Sequence, residues 1–392
     1  MNQTSQSDVK ILVVDDEIDL EDMMRLKFRR QIREKIFDFI FASNGLEALA
    51  KILEIPEIGI VLSDINMPEM DGLTLLTKLK ELKNPGLKTV IVSAYGDMDN
   101  IRTAMNRGAF DFVTKPVNFE DLEITIIKTL EEIVLIRRSL DEHDQLVSIH
   151  EDLNIAREIQ QAILPKVFPP FPLQHSFDIY ASMVAAKEVG GDFFDFFLID
   201  PYRLGFVIGD VCGKGVPAAI FMAVSRTLIR ATGLKGVPAS ECMRYVNNLL
   251  CNESVSSMFV SVFYGILNTT TGEVDYVNAG HNPPYLLSSS GISKIDMTNG
   301  IVLGLFEDFN FQSKKIMMKP GEKIFLYTDG VTEAFNSERI AYSMDKLEKF
   351  LNQHLNNSVE TIIKESFTDV NTFVANVPQS DDITLLAIAF NG

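Results

Sequence analysis

Five short apolar runs, each followed by a stretch with helical spacing, fill the first third of this 392-residue chain. VKILVV (9–14) ends in Asp15, Asp16 and Glu17, and Phe37–Ala42 forms the second run. Ile58–Leu62 leads to Asp64, Leu87–Val92 to Ser93, and Phe110–Val113 to Lys115 and Pro116. The runs lack strict alternation, as expected of strands buried on both faces. Helical spacing covers Ile18–Arg30, Gly45–Leu53, Leu73–Leu82 and Asp99–Arg107, and resumes near Phe119. This order predicts an open parallel α/β sheet of five strands with helices on both faces. Such sheets bind ligands beyond the carboxyl ends of their strands, where Asp15, Asp16, Asp64, Ser93 and Lys115 fall. Three acids there suit a hard cation with oxygen ligands. A lysine and a hydroxyl suit a phosphoryl group, which a carboxylate could accept covalently.

The rest of the chain reads differently. In KEVGGDFFDFFLIDPYRLGFVIGDVCGKG (187–215), two apolar runs fold back about Pro201, setting Asp192 opposite Asp210. Directly opposed residues of an antiparallel pair have Cβ atoms roughly 5 Å apart, and two buried carboxylates that close repel unless a proton or cation joins them. A metal-free acidic hairpin end is the plain alternative. Further strands are expected at Phe177–Met183, Met258–Leu267, Phe309–Met317, Lys323–Tyr327 and the closing ITLLAIAF, with helix pairs inserted between them. That pattern predicts a mostly antiparallel α/β sandwich. Asp329 ends one of its strands, and Asp381 and Asp382 precede another, so four acids can gather at one edge and favour Mg²⁺ or Mn²⁺.

Between the two parts, residues 119–164 place Leu122, Ile126, Leu130, Ile133 and further apolar residues mostly three and four apart, until Pro165 breaks the pattern. One or two long helices are expected, with His143–Gln145 the place for an interruption. They suit a dimeric coiled coil; an amphipathic helix lying on one domain is the alternative.

Two resemblances organise these readings. DD at 15–16, DINMPEMDG (64–72), Ser93-Ala94 and GAFDFVTKP (108–116) resemble a two-component response-regulator receiver domain, over residues 8–128. The resemblance implies that Asp64 is the phosphoacceptor, supplied by a cognate histidine kinase. It also implies one Mg²⁺ held by Asp15, Asp16, Asp64 and the Asn66 carbonyl, and a switch made of Ser93, Phe112 and Lys115. KEVGGDFFD (187–195), GDVCGKGVPAA (209–219), SSMFVSVFYG (256–265), NAGHNPP (278–284), YTDGVTEA (327–334) and QSDDITLLAI (379–388) resemble a metal-dependent serine/threonine protein phosphatase of the PPM family, close to the SpoIIE-like enzymes, over residues 170–392. REIQQAILP (157–165), at the end of the 119–164 linker, is typical of the same group.

That second resemblance implies two Mn²⁺ or Mg²⁺ ions held by Asp192, Asp210, the Val211 carbonyl, Asp329 and Asp381. They would lower the pKa of a shared water that attacks a phosphoserine or phosphothreonine. Lys187 matches a phosphate-binding position and Asp382 stands where the broader family has asparagine. The implied substrate is a phosphorylated anti-sigma-factor antagonist. A catalytically idle adaptor binding a sigma-regulatory partner is the alternative, which loss of a metal aspartate would mark; none is lost. Lys214 could touch substrate or be a solvated loop lysine, and His281 is expected to satisfy backbone groups in its turn.

A formal net charge of -18 argues against a nucleic-acid partner. No signal peptide or membrane span is legible, so a cytoplasmic chain, dimeric through 119–164, is expected. Three scattered cysteines make no disulfide framework, and Cys212 has no nearby histidine to activate it.

Overall fold

The computed structural model describes residues 9–17, 19–94, 97–253 and 258–392. They divide into two compact units, Met1–Ile149 and His150–Gly392. In the first, β1 (Lys10–Val14), β2 (Asp38–Ala42), β3 (Ile58–Asp64), β4 (Lys88–Ala94) and β5 (Asp111–Lys115) form a parallel sheet of order β2-β1-β3-β4-β5. Every residue of β3 is buried, which accounts for a sequence without alternation.

The helices are α1 (Leu20–Lys27), α2 (Arg29–Arg33), α3 (Gly45–Glu54), α4 (Gly72–Glu81) and α5 (Met98–Arg107). The single helix expected over Ile18–Arg30 is two pieces. Phe28 leaves helical geometry with ψ of 17° and is buried against Phe37 and Phe39; Ile18 lies outside the described residues. Asn44 and Asp71 cap α3 and α4 by accepting from the N–H groups of Glu47 and Thr74, caps worth about 1 kcal/mol each. The Asp71-Gly72 pair thus starts a helix directly beyond the strand that ends in Asp64. A Cβ on Gly72 would collide with the Asp64 carbonyl oxygen, so this close return of the chain needs glycine.

α6 (Phe119–Ile163) is one continuous helix of 45 residues, with no interruption at His143–Gln145. Leu122, Ile126, Leu130 and Ile133 are buried in the first unit's core, each contributing roughly 1.5–3 kcal/mol by burial. Farther along, Leu135, Leu140, Leu146, Ile149, Ile155 and Ile159 are exposed.

The second unit continues with β6 (Phe177–Val184), β7 (Phe193–Asp200), β8 (Arg203–Val211), α7 (Val216–Gly233), α8 (Ala239–Glu253), β9 (Val260–Asn268) and β10 (Glu273–Ala279). Then follow β11 (Tyr285–Ser288), β12 (Gly291–Lys294), β13 (Lys314–Met317), β14 (Lys323–Tyr327), α9 (Asp329–Thr332), α10 (Ser343–Gln353), α11 (Val359–Val374) and β15 (Ile383–Phe390). Two five-stranded antiparallel sheets result, β13-β10-β9-β8-β7 and β12-β11-β14-β15-β6. Phe206, Tyr276, Ile324 and Leu386 meet in one core drawn from both sheets, the sandwich that antiparallel strands with inserted helix pairs predict. α7 and α8 pack on the first sheet, α11 on β6 and β15.

The strand expected over Phe309–Met317 is shorter, because Asn299 bonds the backbone at Asn310 and Gln312 and takes those groups out of a ladder. β12, half exposed and four residues long, has no strong apolar signal. Ser256 and Ser257 of the SSMFVSVFYG stretch lie outside the described residues. No helix among the described residues is long and apolar enough to cross a membrane.

Candidate functional site

In the first unit the parallel strands deliver Asp15, Asp64, Ser93 and Lys115 to their carboxyl ends. Asp15, Asp16 and Asp64 each offer a carboxylate oxygen within 4.8 Å of the others, the one acidic group this close among the described residues. Lys115 Nζ lies 2.7 Å from Asp64 Oδ2, 2.9 Å from Asp15 Oδ2 and 3.2 Å from Glu17 Oε1. Burial raises the Asp15 pKa despite Lys115. Burial also opposes the Lys115 charge, but Asp64 and Asp15 outweigh it and hold the ammonium protonated. Asp64 Oδ1 accepts from the Ile65 N–H at 2.6 Å. Ser93, on the neighbouring strand, is buried and points its hydroxyl to Asp97 at 3.4 Å. Asn66 is exposed in the loop after β3, and Phe112 is exposed on β5. The donors are all oxygen and carry three acids, so the residues fit a hard divalent cation.

In the second unit the β7–β8 hairpin pairs Phe193 with Gly209. The same register, carried one residue further, sets Asp192 opposite Asp210, as the sequence predicts. Asp192 is 1% exposed and accepts from the Thr328 hydroxyl at 2.7 Å. Burial, then the Asp210 charge, raises its pKa well above the usual carboxylate range. Burial and the charges of Asp329, Asp381 and Asp382 push the Asp210 carboxyl up to about 7. Burial, Glu333 and Asp381 raise Asp329. These acids feel one another, yet no three of them bring an oxygen each within 4.8 Å. A Cβ on Gly191 would stand 2.9 Å from the Val211 carbonyl oxygen, so glycine leaves room beside that donor. The fit to divalent cations therefore holds for the residues present.

Several roles were not legible in the sequence. Asp382 accepts from the N–H groups of Ala186, Gly191 and Asp192 at 2.8, 2.6 and 3.3 Å; it braces the loop that carries Lys187 and Asp192. Gln160, buried near the end of α6, donates to the Gly190 carbonyl at 2.6 Å and accepts from the Gly190 N–H at 3.0 Å. Asp195 is fully buried against Arg226 and Arg230 of α7. Lys187 is exposed, whereas Lys214 reaches Asp381 Oδ2 at 2.8 Å.

His281 is a structural residue of its turn. Asn278 exchanges 2.8 Å hydrogen bonds with both backbone groups of His281, and its ring Nδ1 meets Ser261 Oγ at 2.9 Å. Burial lowers its pKa to about 4, so the ring is neutral at physiological pH. Burial pushes the Cys242 thiol up to about 12, which removes thiolate chemistry there.

Comparison with known proteins finds a separate match for each part of the chain. Residues 11–127 match the response regulator receiver domain family, and residues 200–391 match the Stage II sporulation protein E (SpoIIE) family. The chain belongs to the proteins that join a response-regulator receiver to a SpoIIE-type, metal-dependent serine/threonine phosphatase domain. It is 31% identical over 269 residues to Protein IcfG of Synechocystis sp., covering 61% of this chain and 42% of IcfG. It is 27% identical over 274 residues to phosphoserine phosphatase RsbU of Bacillus subtilis, covering 69% of this chain and 80% of RsbU. The SiaA-PP2C domain of Pseudomonas aeruginosa shares the fold, with a TM-score of 0.56 at 18% identity over 63% of this chain and 98% of that one.

Proposed function

We propose that this chain is a phosphorylation-controlled protein serine/threonine phosphatase. The observation that carries the reading is Asp210: a carboxyl driven up to about 7 by burial and three neighbouring acids, inside a SpoIIE-type domain. A group so placed ionises fully when positive charge arrives. Two Mn²⁺ or Mg²⁺ ions held by Asp192, Asp210, Asp329, Asp381 and the Val211 carbonyl supply water activation and charge neutralisation when bound. The chain's own residues do the rest. Thr328 orients Asp192, Asp382 braces the loop from Ala186 to Asp192, and Lys187 meets a phosphoryl oxygen as a point charge.

The receiver, residues 8–128, takes a phosphoryl group at Asp64 from a partner histidine kinase. Asp15, Asp16, Asp64 and the Asn66 carbonyl hold one Mg²⁺, which neutralises charge there when bound. Lys115 pairs with the phosphoryl group, Ser93 bonds its oxygen, and Phe112 responds. Residues 119–164 link the receiver to the phosphatase domain, 170–392. The exposed leucines and isoleucines between Leu135 and Ile159 support a homodimer through this helix, since such a stripe in water calls for cover. The substrate is a phosphorylated anti-sigma-factor antagonist, a proposal supported by the likeness to a phosphoserine phosphatase. The setting is cytoplasmic.

The test is phosphate release from a phosphoserine protein. Purified chain with Mn²⁺ should release phosphate, and EDTA should abolish release until Mn²⁺ is restored in excess. Release that continues unchanged in EDTA, after dialysis against chelator, rules out the metal-dependent reading.

A further inference from the structure

We infer that Lys214 competes with a divalent cation for the Asp381 carboxylate, and so sets the cation concentration at which the phosphatase site fills. The inference rests on the metal reading above. Lys214 Nζ lies 2.8 Å from Asp381 Oδ2 and donates to the Ser380 carbonyl at 2.6 Å. The other carboxylate oxygen, Oδ1, accepts from the Asp382 N–H at 3.0 Å. A cation that takes Oδ2 as a ligand therefore meets the ammonium already paired with that oxygen. Among the described residues, Lys214 is the only side-chain cation paired with any of Asp192, Asp210, Asp329 and Asp381.

The loop is built to let the lysine leave. Gly213 and Gly215 flank it with φ of 100° and 79°, values that favour glycine. A Cβ at either would find no heavy atom within 4 Å, so both glycines face open space on that side. The ion pair itself is partly exposed, 44% for Lys214 and 36% for Asp381, and a pair in that setting is weak. It is weak enough for a divalent cation to displace, and its charge still opposes an incoming cation. Removing it should tighten cation binding by roughly three- to tenfold.

The experiment titrates full-length wild type, Lys214→Met and Lys214→Arg with Mn²⁺ alone. It follows hydrogen-exchange protection of backbone amides in residues 379–382. That readout is local to the phosphatase site and independent of turnover. The Lys214→Met midpoint should fall by roughly three- to tenfold, while Lys214→Arg, which keeps the charge, should stay at or above the wild-type midpoint. Equal midpoints for wild type and Lys214→Met, or a higher one for Lys214→Met, overturn the competition while leaving the metal site standing. An absence of Mn²⁺-dependent protection in every protein overturns the competition and the metal reading together.

Discussion

Asp210→Asn is expected to lower Mn²⁺-dependent phosphate release by about 10³-fold. Loss of a group that only orients a metal ligand costs about 10–100-fold, and Asp210 is proposed as a ligand itself. The substitution should leave the fold intact, because it removes a liability of the metal-free protein. Asp210 has a folded-state pKa near 7 against an ordinary value of 3.8. The folded state therefore holds the proton more tightly than the unfolded state does. The resulting loss of stability grows as pH rises from about 4 to about 7 and is complete above that. Asparagine has no such ionisation. Urea unfolding in EDTA should show wild type losing stability between pH 4 and pH 7, and Asp210→Asn losing less. Wild-type rates in the variant would remove Asp210 from the mechanism; a variant that fails to fold would show that its carboxylate is structural.

The second large effect is on stability. Asp195→Ala should cost about 3–5 kcal/mol, the range for leaving a buried charge without its partner. Asp195 is fully buried; Arg230 Nη1 donates to its Oδ1 at 2.7 Å, and Arg226 Nε lies 2.9 Å from Oδ2. The Arg226 contact is an ion pair without hydrogen-bond alignment, so Arg230 is the better-made half. Burial raises the Asp195 pKa, and the two arginines pull against it. With Asp195 gone, Arg226, whose side chain is only 14% exposed, faces no anion. Arg230, which also stacks over the Phe197 ring at 5.3 Å, keeps more access to water. Urea unfolding in excess Mn²⁺ measures the loss. A change below about 1 kcal/mol, the scale of a surface pair, would mean that the triad contributes little beyond its geometry.

What the sequence made legible follows the reach of its local patterns. Asp15, Asp64, Ser93 and Lys115 could be assigned to one edge because each closes an apolar run, and parallel strands put such ends together. Asp192 could be set against Asp210 because two apolar runs around Pro201 determine a hairpin register. The observed pairing of Phe193 with Gly209 is that register. Asp195, three residues from Asp192, carries no such signal. Its partners lie a helix away, and the adjoining phenylalanines read as core whether or not an ion triad sits among them. Asp382 braces a loop 190 residues earlier in the chain, and Gln160 holds Gly190 from another element. No periodicity records contacts of that kind. The strand expected over Phe309–Met317 is shorter for a related reason: a side chain from Asn299 claims the backbone at Asn310 and Gln312.

Control of the phosphatase by a phosphoryl group on Asp64 is what joins the two proposed sites. It is tested most directly by the initial rate of phosphate release from a phosphoserine protein in Mn²⁺ and Mg²⁺, before and after treatment with acetyl phosphate. Wild type and Asp64→Asn are compared side by side. Treatment should change the wild-type rate by about tenfold or more, a coupling of roughly 1.4 kcal/mol, and leave Asp64→Asn unchanged. The same response in both proteins, or no response in a wild type shown by mass to be phosphorylated, would contradict it.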